Sequence, residues 1–203
     1  MREQLEKGLE ALSLEPKPEI CNAYLTYIQL LVKWNKTYNL TAIKSQEDML
    51  TRHVFDSLSI HQYIQGEDCL DVGTGAGLPG LILAIAQPDK RWTLLDSNKK
   101  KLRFIQHIKA ALNINNIEML HARIEAVENK EFDSITCRAF TSLQQFYLSC
   151  HHLLRHQGKL LAMKASIEET ELIEIKKLTS KIKIEEVNVP RESAERCIVV
   201  MSA

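Results

Sequence analysis

The chain has 203 residues, of which 45% are apolar, and this size and composition predict an ordinary globular protein and exclude disordered and fibrous classes. No apolar stretch approaches the roughly 18 residues of a membrane span, and the N-terminal segment MREQLEKGLEAL lacks the apolar region of a signal peptide, so we expect a cytoplasmic protein without a membrane partner. The formal net charge is zero and gives no indication of a polyanionic partner.

The first third of the chain predicts helices. Two apolar stripes with helical spacing are separated by a pair of prolines. The first stripe consists of Leu5, Leu9 and Leu12, and the second consists of Tyr24, Ile28 and Leu31. Ser45 predicts the N-cap of a third helix that continues to Leu58. We expect the intervening segment WNKTYNLT, residues 34–41, to be a connecting loop.

From residue 69 onward, short apolar runs alternate with amphipathic segments. The strand candidates are residues 69–72, 91–96, 117–122, 132–140 and 158–165. The helix candidates that follow them are residues 80–87, 99–112, 142–155 and 167–181. Alternation at this spacing predicts an α/β fold with a parallel sheet and helices on both faces.

The end of the chain departs from this alternation. The strand candidates 183–189 and 195–202 are separated only by PRESA, a connection that suits antiparallel pairing and is too short for a crossover. We therefore predict a mostly parallel sheet with a C-terminal antiparallel strand. The α/β domain is expected to span residues 66–203 and to follow an N-terminal helical extension of residues 1–65.

The segment LDVGTGAGLPG, residues 70–80, joins the first strand candidate to the next helix. Asp71, Gly73, Gly75 and Gly77 form the pattern D-x-G-x-G-x-G, and such glycines allow the backbone to approach a ligand closely. The dinucleotide pattern G-x-G-x-x-G fails because Leu78 occupies the third glycine position. A phosphate-binding P-loop also fails because no Gly-Lys-Ser/Thr follows.

Asp96 ends the second strand candidate, nineteen residues after Gly77. An acid at this position can accept hydrogen bonds from both ribose hydroxyls of an adenosine ligand, which suits NAD and S-adenosylmethionine equally. The glycine spacing favours S-adenosylmethionine, and Asp71 would face its amino-acid end. The alternative is a glycine-rich surface turn beside a solvated Asp96.

Basic residues are concentrated in one stretch of the chain. Residues 90–123 carry eight lysines and arginines against Asp96 and Glu118, an excess of six positive charges. The stretch is either a solvated helix face with scattered charges or a nucleic-acid contact surface, whose binding would weaken with salt.

The five cysteines are scattered and never form C-x-x-C, which argues against a disulfide framework or a metal site. Thr136-Cys137 is similar to the dipeptide of RNA cytosine methyltransferases, but Cys137 falls inside a strand candidate and is interpreted as a core residue. The fourth strand also lacks the Asn/Asp-Pro-Pro-Tyr/Phe turn of adenine amine methylation. The remaining acceptors include guanine N7, whose free lone pair needs alignment and no general base.

Several segments, taken together, resemble one family. They are WNKTYNLTAI (34–43), RHVFDSL (52–58), DVGTGAGLPG (71–80), LLDSNKKKLRFI (94–105), SITCRAF (134–140) and LLAMK (160–164). In this order they are similar to the RsmG family, also called GidB, the small-subunit ribosomal RNA methyltransferases G of bacteria. The resemblance covers nearly the whole chain. It implies a class I S-adenosylmethionine-dependent methyltransferase with a Rossmann-like sheet that methylates N7 of a guanine in 16S rRNA (guanine 527), near the decoding region, and releases S-adenosylhomocysteine.

The resemblance also implies roles for individual cofactor-binding residues. Gly73 and Leu78 would belong to the cofactor loop, and Asp96 would be the ribose acid. Ile124 and Glu125 follow the third strand candidate and would flank the adenine. No metal is implied.

Arg138 ends the fourth strand candidate, at the edge where α/β sheets bind ligands. The resemblance places it where cofactor and base meet, so we expect Arg138 to bind the cofactor and to be the catalytic residue that positions the reactants. A snorkelling or salt-bridged arginine is the alternative.

The expected RNA-contacting residues are Asn39, Arg52, His53, Lys100, Arg123 and Lys164. Asn39, with Asn35 and Thr41, either turns the chain or forms an RNA-facing rim. Arg52 and His53 either bind phosphate or serve as an ion-paired arginine and a satisfied core histidine. We expect recognition of the Watson–Crick edge of an unpaired or flipped guanine, because its N7 must face the methyl donor.

The expected partner is 16S rRNA or the 30S subunit, bound by a monomer. Three rival interpretations remain open at this point. One is an S-adenosylmethionine enzyme that acts on a small molecule or protein, and another is a nicotinamide enzyme, which Leu78 disfavours. The third is an RNA-binding ribosome-assembly module with a non-catalytic cofactor site, which the intact glycine loop and Asp96 disfavour.

Overall fold

The computed structural model describes residues 1–138, 140 and 142–202, and a mixed β-sheet forms its centre. The strands are β1 (Asp68–Val72), β2 (Arg91–Asp96), β3 (Ile117–His121), β4 (Phe132–Arg138), β5 (Leu154–Lys164), β6 (Ile182–Glu186) and β7 (Cys197–Ser202). Their spatial order is β3-β2-β1-β4-β5-β7-β6. Strands β1 to β5 pair in parallel, whereas β7 is antiparallel to both β5 and β6. The predicted mostly parallel sheet with a reversed C-terminal strand is confirmed.

Helices cover both faces of this sheet. They are α1 (Arg2–Ala11), α2 (Pro18–Tyr38), α3 (Gln46–Met49), α4 (Asp56–Leu58), α5 (Gly80–Ala86), α6 (Lys99–Ala111), α7 (Leu143–Cys150) and α8 (Glu169–Lys176). One buried apolar cluster joins α5 and α6 to the N-terminal helices, and a second contains the buried side chains of α7 and α8. No helix among the described residues combines the length and apolar character needed to cross a membrane.

Two buried tyrosines attach α2 to the α/β unit. Tyr24 Oη donates a hydrogen bond to the carbonyl of Ile82 at 3.0 Å, and Tyr27 Oη donates one to the carbonyl of Ala76 at 3.0 Å. A buried hydroxyl is stable only with a partner, so these bonds hold α2 across α5 and the glycine loop in one orientation. The apolar core is continuous across residue 65, and the domain boundary placed there stays a prediction.

Ser45 begins the third predicted helix, and its hydroxyl accepts a hydrogen bond from the Asp48 backbone N–H at 3.0 Å, as an N-cap residue does. The helix changes type along its length, because a π-helical segment, Leu50–Phe55, connects α3 to α4. Wide turns of this kind are often found at functional sites. This one carries Arg52 and His53 and leads directly into Asp56.

The loop predicted for WNKTYNLT is wrong over its first five residues. Helix α2 continues to Tyr38, and Trp34 packs edge-on against Phe104 of α6, with the ring centroids 5.7 Å apart. Burial of Trp34 therefore stabilises a last helical turn in a segment whose polar composition is typical of a loop. The loop proper begins at Asn39, whose left-handed backbone (φ 48°) ends the helix.

Two later boundaries also differ from the prediction. The helix predicted over 142–155 ends at Cys150, because the chain pairs with β4 again from Leu154, which lies opposite Phe132. The helix predicted over 167–181 is confined to Glu169–Lys176. The predicted extension of β4 includes Ala139, which lies outside the described residues, as does Ala203 at the end of the predicted domain.

The strand order reverses between β1 and β4, and α/β sheets bind ligands in the crevice beyond the carboxyl ends of such strands. In the parallel register, Val72 of β1 lies opposite Cys137 of β4. The next residues, Gly73 and Arg138, therefore leave the same edge of the sheet side by side.

Candidate active site

The glycine loop turns sharply at the end of β1. Gly73, Gly75 and Gly77 have positive φ values of 72°, 59° and 90°. The backbone N–H groups of Gly73 and Thr74 both donate to the carbonyl of Leu95 on β2, at 2.8 and 2.9 Å. These bonds hold the loop over the carboxyl end of the neighbouring strand, and glycine alone adopts the backbone conformation without strain.

The glycines of this loop serve two different purposes. A Cβ added at Gly73 would meet nothing within 4 Å, and one at Gly75 would come no closer than 3.8 Å to an atom of the protein. A Cβ at Gly77 would lie 2.7 Å from Leu81 Cβ, and one at Gly80 would lie 2.6 Å from Asp71 Cβ. Gly77 and Gly80 are thus required for packing, whereas Gly73 and Gly75 border open space, as expected for backbone that approaches a cofactor.

Asp71 lies beneath this loop and has no exposed surface. Its Oδ2 accepts a hydrogen bond from the Gly80 backbone N–H at 2.8 Å, and its Oδ1 accepts one from the Thr136 hydroxyl at 3.3 Å. Burial raises the pKa of the Asp71 carboxyl to about 6. The expectation that Asp71 faces a ligand needs correction for this conformation, because its carboxylate is turned inward and supports the start of α5.

Asp96, at the end of β2, is buried and linked to the same loop. Its Oδ2 accepts a hydrogen bond from the Gly75 backbone N–H at 2.9 Å, and its Oδ1 accepts one from Asn98 N–H at 2.7 Å. Lys101 Nζ lies 3.8 Å from Oδ2. Each carboxylate oxygen has a second lone pair, so these bonds leave the capacity to accept ribose hydroxyls. The ribose-binding role of Asp96 stays a prediction.

Ile124 and Glu125 lie in a 3₁₀ turn, Ile124–Ala126, just after β3. Ile124 is buried with Leu95 in the second apolar cluster, whereas Glu125 is exposed. Leu78 is buried too, and its backbone N–H closes the glycine loop on the carbonyl of Thr74 at 2.7 Å. The turn beyond β3 and the glycine loop thus leave the sheet at the same edge.

Arg138 is held by the π-helical segment and by the first residue of α4. Its Nη1 donates to the carbonyl of Arg52 at 2.9 Å and to Asp56 Oδ2 at 3.2 Å. Asp56 is only 7% exposed, and its Oδ1 accepts a hydrogen bond from Arg196 Nε at 3.3 Å. Glu192 extends the network, because its Oε2 lies 3.1 Å from Arg52 Nε and 3.6 Å from Arg196 Nη2.

A cavity of about 440 Å³ opens over these side chains, at the carboxyl ends of β4 and β5. It brings together four residues predicted from the sequence: Arg52, His53, Arg138 and Lys164. Asp56 and Arg196 also line it, and neither was predicted as a site residue. The only sequence signal for a role of Asp56 is its place within the family-like segment RHVFDSL. Nothing in the sequence around Arg196 distinguishes it from other surface arginines.

His53 is a satisfied, neutral core histidine. It is 3% exposed, its Nδ1 donates to the carbonyl of Arg52 at 3.0 Å, and its Nε2 accepts from the Thr41 hydroxyl at 3.0 Å. Burial, followed by the nearby charge of Arg138, lowers the pKa of its imidazole to about 4. The expected contact of His53 with RNA phosphate is therefore wrong for this conformation, because both ring nitrogens are used and the ring carries no charge at neutral pH.

Thr41 and Asn35 order the loop that follows α2. The Asn35 side chain donates to the carbonyl of Thr41 and accepts from its N–H, both at 2.9 Å, and the Thr41 hydroxyl accepts from Ile43 N–H at 3.1 Å. These two residues thus turn the chain, which is one of the two alternatives left open by the sequence. Asn39 is exposed between them, so a place for its side chain on an RNA-facing rim stays a prediction.

The remaining predicted RNA contacts are spread over the same edge. Lys100 is exposed at the start of α6, and Arg123 is exposed just before the turn after β3. Lys164 Nζ lies 2.6 Å from Glu171 Oε1, so this lysine is paired and half-buried. Their RNA-binding roles stay predictions.

Cys137 is a core residue, as predicted. It is buried in the second apolar cluster, and burial raises the pKa of its thiol well above the usual value, which keeps the sulfur protonated and unreactive. Within the described residues, no group of three or more His, Cys, Asp or Glu side chains is arranged to hold a metal ion.

The model of one family, described as GidB, rRNA small subunit methyltransferase G, matches residues 20–199. The chain belongs to this family. Its relatives in the rRNA small subunit methyltransferase G family include the protein of that name from Legionella pneumophila, 45% identical over 203 residues, which cover 100% of this chain and 95% of the relative. Another relative is the protein of the same name from Francisella philomiragia, which is 43% identical over 202 residues that cover 99% of this chain and 97% of the relative.

Solved structures show the fold that this member of the rRNA small subunit methyltransferase G family shares with other methyltransferases. A SAM-dependent O-methyltransferase from Thermotoga maritima superposes with a TM-score of 0.58 at 12% identity and covers 85% of this chain and 71% of that one. The M. jannaschii protein TYW2, solved in complex with AdoMet, gives a TM-score of 0.55 at 14% identity, with coverage of 72% and 75%. The predicted class I methyltransferase fold and family are confirmed.

Proposed function

We propose that this chain transfers a methyl group from S-adenosylmethionine to N7 of a guanine in 16S rRNA, near the decoding region, and releases S-adenosylhomocysteine. Membership of the rRNA small subunit methyltransferase G family supports the reaction class and the type of substrate. The bound cofactor would supply a sulfonium-linked methyl group, and the side chains described above would bind and align the two reactants.

The observation that carries this proposal is the register of β1 and β4. Val72 lies opposite Cys137 on the neighbouring strand. The residues that follow, Gly73 at the open side of the glycine loop and Arg138, therefore have backbones about 5 Å apart. A cofactor on the loop and a base in the 440 Å³ cavity would therefore meet at Arg138. In-line methyl transfer requires this kind of alignment.

The proton acceptors that line the cavity among the described residues are already engaged. Asp56 is bound to two arginines, and both nitrogens of His53 are hydrogen-bonded. Neither is free to remove a proton from a substrate. This arrangement suits an acceptor such as guanine N7, whose lone pair attacks without deprotonation, better than an amine or hydroxyl acceptor.

The side chains at this edge favour a polyanionic substrate. Arg52, Arg138, Lys164 and Arg196 line the cavity with Asp56, and Glu171 and Glu192 pair with these cations, so four cations face three carboxylates. We take the partner to be 16S rRNA, free or within the 30S subunit, bound by a monomer of this chain. An unpaired or flipped guanine would be read through its Watson–Crick edge, since its N7 must point to the methyl donor.

The test is methyl transfer from labelled S-adenosylmethionine to deproteinised 16S rRNA, 30S subunits and 70S ribosomes, followed by mapping of the label. We expect label at guanine N7 in at least one of the three substrates. Label at another atom of rRNA would contradict the N7 assignment. RNA binding without any label would instead support an assembly module with a non-catalytic cofactor site.

Arg138 gives a residue-level test of the same proposal. We expect Arg138→Ala to lower kcat by about 10- to 100-fold, since a charged hydrogen bond contributes about 1.5–3 kcal/mol. Arg155, a partly exposed arginine that pairs with Asp68 at the amino end of β1, provides the matched control as Arg155→Ala. An Arg138→Ala protein that folds and methylates at the normal rate would remove Arg138 from the active site.

A further inference from the structure

Two segments that pack against each other carry no acidic residue. Residues 20–46, which include most of α2, contain three lysines and no Asp or Glu, and residues 97–117, which include α6, contain four lysines, one arginine and no Asp or Glu. The side chains of α2 and α6 meet through Trp34 and Phe104. Apart from Glu19 at the start of α2, the charged side chains of the two helices are therefore all basic.

Aromatic rings form a ladder across the face shared by α2 and α6. Trp34 lies between His107 of α6 and Tyr38 of α2, with ring centroids 5.4 Å and 5.1 Å apart and interplanar angles of 38° and 32°. Trp34 also contacts Phe104 in the core at 5.7 Å. The ladder is thus anchored in the interior at Phe104 and reaches solvent at its ends, at Tyr38 and His107.

The outer rings of this ladder are accessible. Tyr38 is 44% exposed, which is unusual for a large aromatic side chain, and His107 is exposed on α6. Lys100 and Arg103 precede His107 by about two turns and one turn on the same side of α6, and both are exposed. The exposed end of the ladder at His107 is therefore flanked by cations of α6.

We propose that this face, the Tyr38–Trp34–His107 ladder with Lys100 and Arg103, binds an unpaired RNA segment outside the target nucleotide. The proposal rests on the RNA substrate proposed above and assigns it a second contact surface. Exposed aromatic rings stack on bases, and the surrounding cations bind the intervening phosphates, which is how proteins bind single-stranded nucleic acid. An acidic protein surface would use the cations and leave the rings without a planar partner.

Tryptophan fluorescence tests this proposal directly, because the chain has only 2 tryptophans. Trp92 is 1% exposed, and its indole N–H has no hydrogen-bond partner within the described residues, so Trp92→Phe removes its signal without breaking a hydrogen bond. In this background we expect a short oligoadenylate to quench Trp34 fluorescence and inorganic polyphosphate to leave it unchanged. Equal responses to the two polyanions, or no response to oligoadenylate, would overturn the stacking assignment.

Substitutions at the ends of the ladder give the second test. We expect Tyr38→Ala to weaken binding of rRNA and oligoadenylate at least fivefold, in line with base–aromatic stacking, and to raise KM for RNA with kcat and cofactor affinity unchanged. Tyr147→Ala is the matched control, because Tyr147 stacks on His151 at 5.0 Å on α7, on the opposite face of the sheet. Equal losses in the two variants, or none in Tyr38→Ala, would refute the proposal.

The cations are tested by salt dependence. Removing one phosphate contact from single-stranded RNA lowers the slope of log affinity against log salt by about 0.7, so Lys100→Ala and Arg103→Ala are each expected to reduce it. Lys176→Ala, at an exposed position of α8, is expected to leave the slope unchanged. The assays measure binding, so wild-type protein that binds RNA through this face and fails to methylate it would refute the proposed function and leave this surface supported.

Discussion

Arg138 Nη1 lies 3.2 Å from Asp56 Oδ2, although the two residues are 82 positions apart in the chain. Asp56 is buried and its other oxygen is bound by Arg196, so one carboxylate joins the start of α4, the end of β4 and the residue before β7. The guanidinium of Arg138 is therefore oriented by the helical N-terminal region. This relationship makes that region part of the candidate active site.

Replacing Asp56 is expected to disturb the orientation of Arg138. Asp56→Asn leaves Arg138 without its counter-charge and Arg196 with Glu192 alone, and loss of one partner of a buried pair costs about 3–5 kcal/mol, less here because both arginines are partly exposed. We expect a lower free energy of unfolding in urea and a lower kcat for methyl transfer, with weaker S-adenosylmethionine binding because Arg138 is expected to contact the cofactor. Asp48→Asn, at an exposed position of α3, is the control, and equal effects of the two changes would contradict this role for Asp56.

Asp96 is expected both to bind the cofactor ribose and to hold the glycine loop. Asp96→Ala removes the acceptor for Gly75 N–H and the expected acceptor for the ribose, so S-adenosylmethionine affinity measured by calorimetry should fall at least tenfold. Asp96→Asn retains an oxygen for one of these bonds and should lose less. Asp89→Ala, at an exposed position before β2, should bind normally. Normal cofactor affinity in Asp96→Ala would exclude the ribose role.

Gly73 and Gly77 are expected to respond differently to the same substitution. Gly73→Ala meets no protein atom, so its cost is the positive φ alone, about 1–2 kcal/mol, and the folded protein should lose cofactor affinity as the new methyl group enters the open space. Gly77→Ala would place a Cβ 2.7 Å from Leu81 Cβ and should mainly lower the melting temperature. Thermal unfolding and calorimetric titration of both variants separate the two effects, and unaltered cofactor binding by Gly73→Ala would show that the ligand does not approach there.

His53 is expected to make the protein less stable in mild acid. Its folded pKa of about 4 lies below the ordinary 6.5, so the unfolded chain binds the proton first, and the contribution present above pH 6.5 is lost as the pH falls toward 4. The full loss is about 3 kcal/mol. Urea unfolding of wild type and His53→Gln across this range should show a smaller pH dependence in the variant. Parallel profiles would mean that His53 is not buried in its neutral form.

Asp71 is expected to have the opposite effect on the pH dependence of stability, over a similar pH range. Its folded pKa of about 6 lies above the ordinary 3.8, so the folded state holds the proton more tightly, and this contribution is present below pH 3.8 and lost as the pH rises through 6. Relative to Asp71→Asn, the wild type should lose about 3 kcal/mol between these values. Asp71→Ala should be less stable than Asp71→Asn at pH 7, because it leaves the buried Gly80 N–H without an acceptor. Equal stability of the two variants would contradict that bond.

Much of the fold was predictable because its signals are local. Alternating strands and helices, the Ser45 cap and the short connection before β7 each depend on neighbouring residues, and the structure contains all three. The boundaries that were predicted wrongly depend on distant partners. Helix α2 continues to Tyr38 because Trp34 meets Phe104, and β5 begins at Leu154 because Phe132 lies beside it.

The candidate site shows the same difference between features set by local sequence and features set by distant residues. The sequence by itself determined the family, the glycine loop and the acid at the end of β2, because spacing along one strand and one turn carries that information. Only the tertiary structure decided that Asp71 points inward, that His53 is neutral, and that Asp56 and Arg196 hold Arg138. Burial and charge pairing are set by residues far apart in the chain, and they exist only once the sheet has brought those residues together.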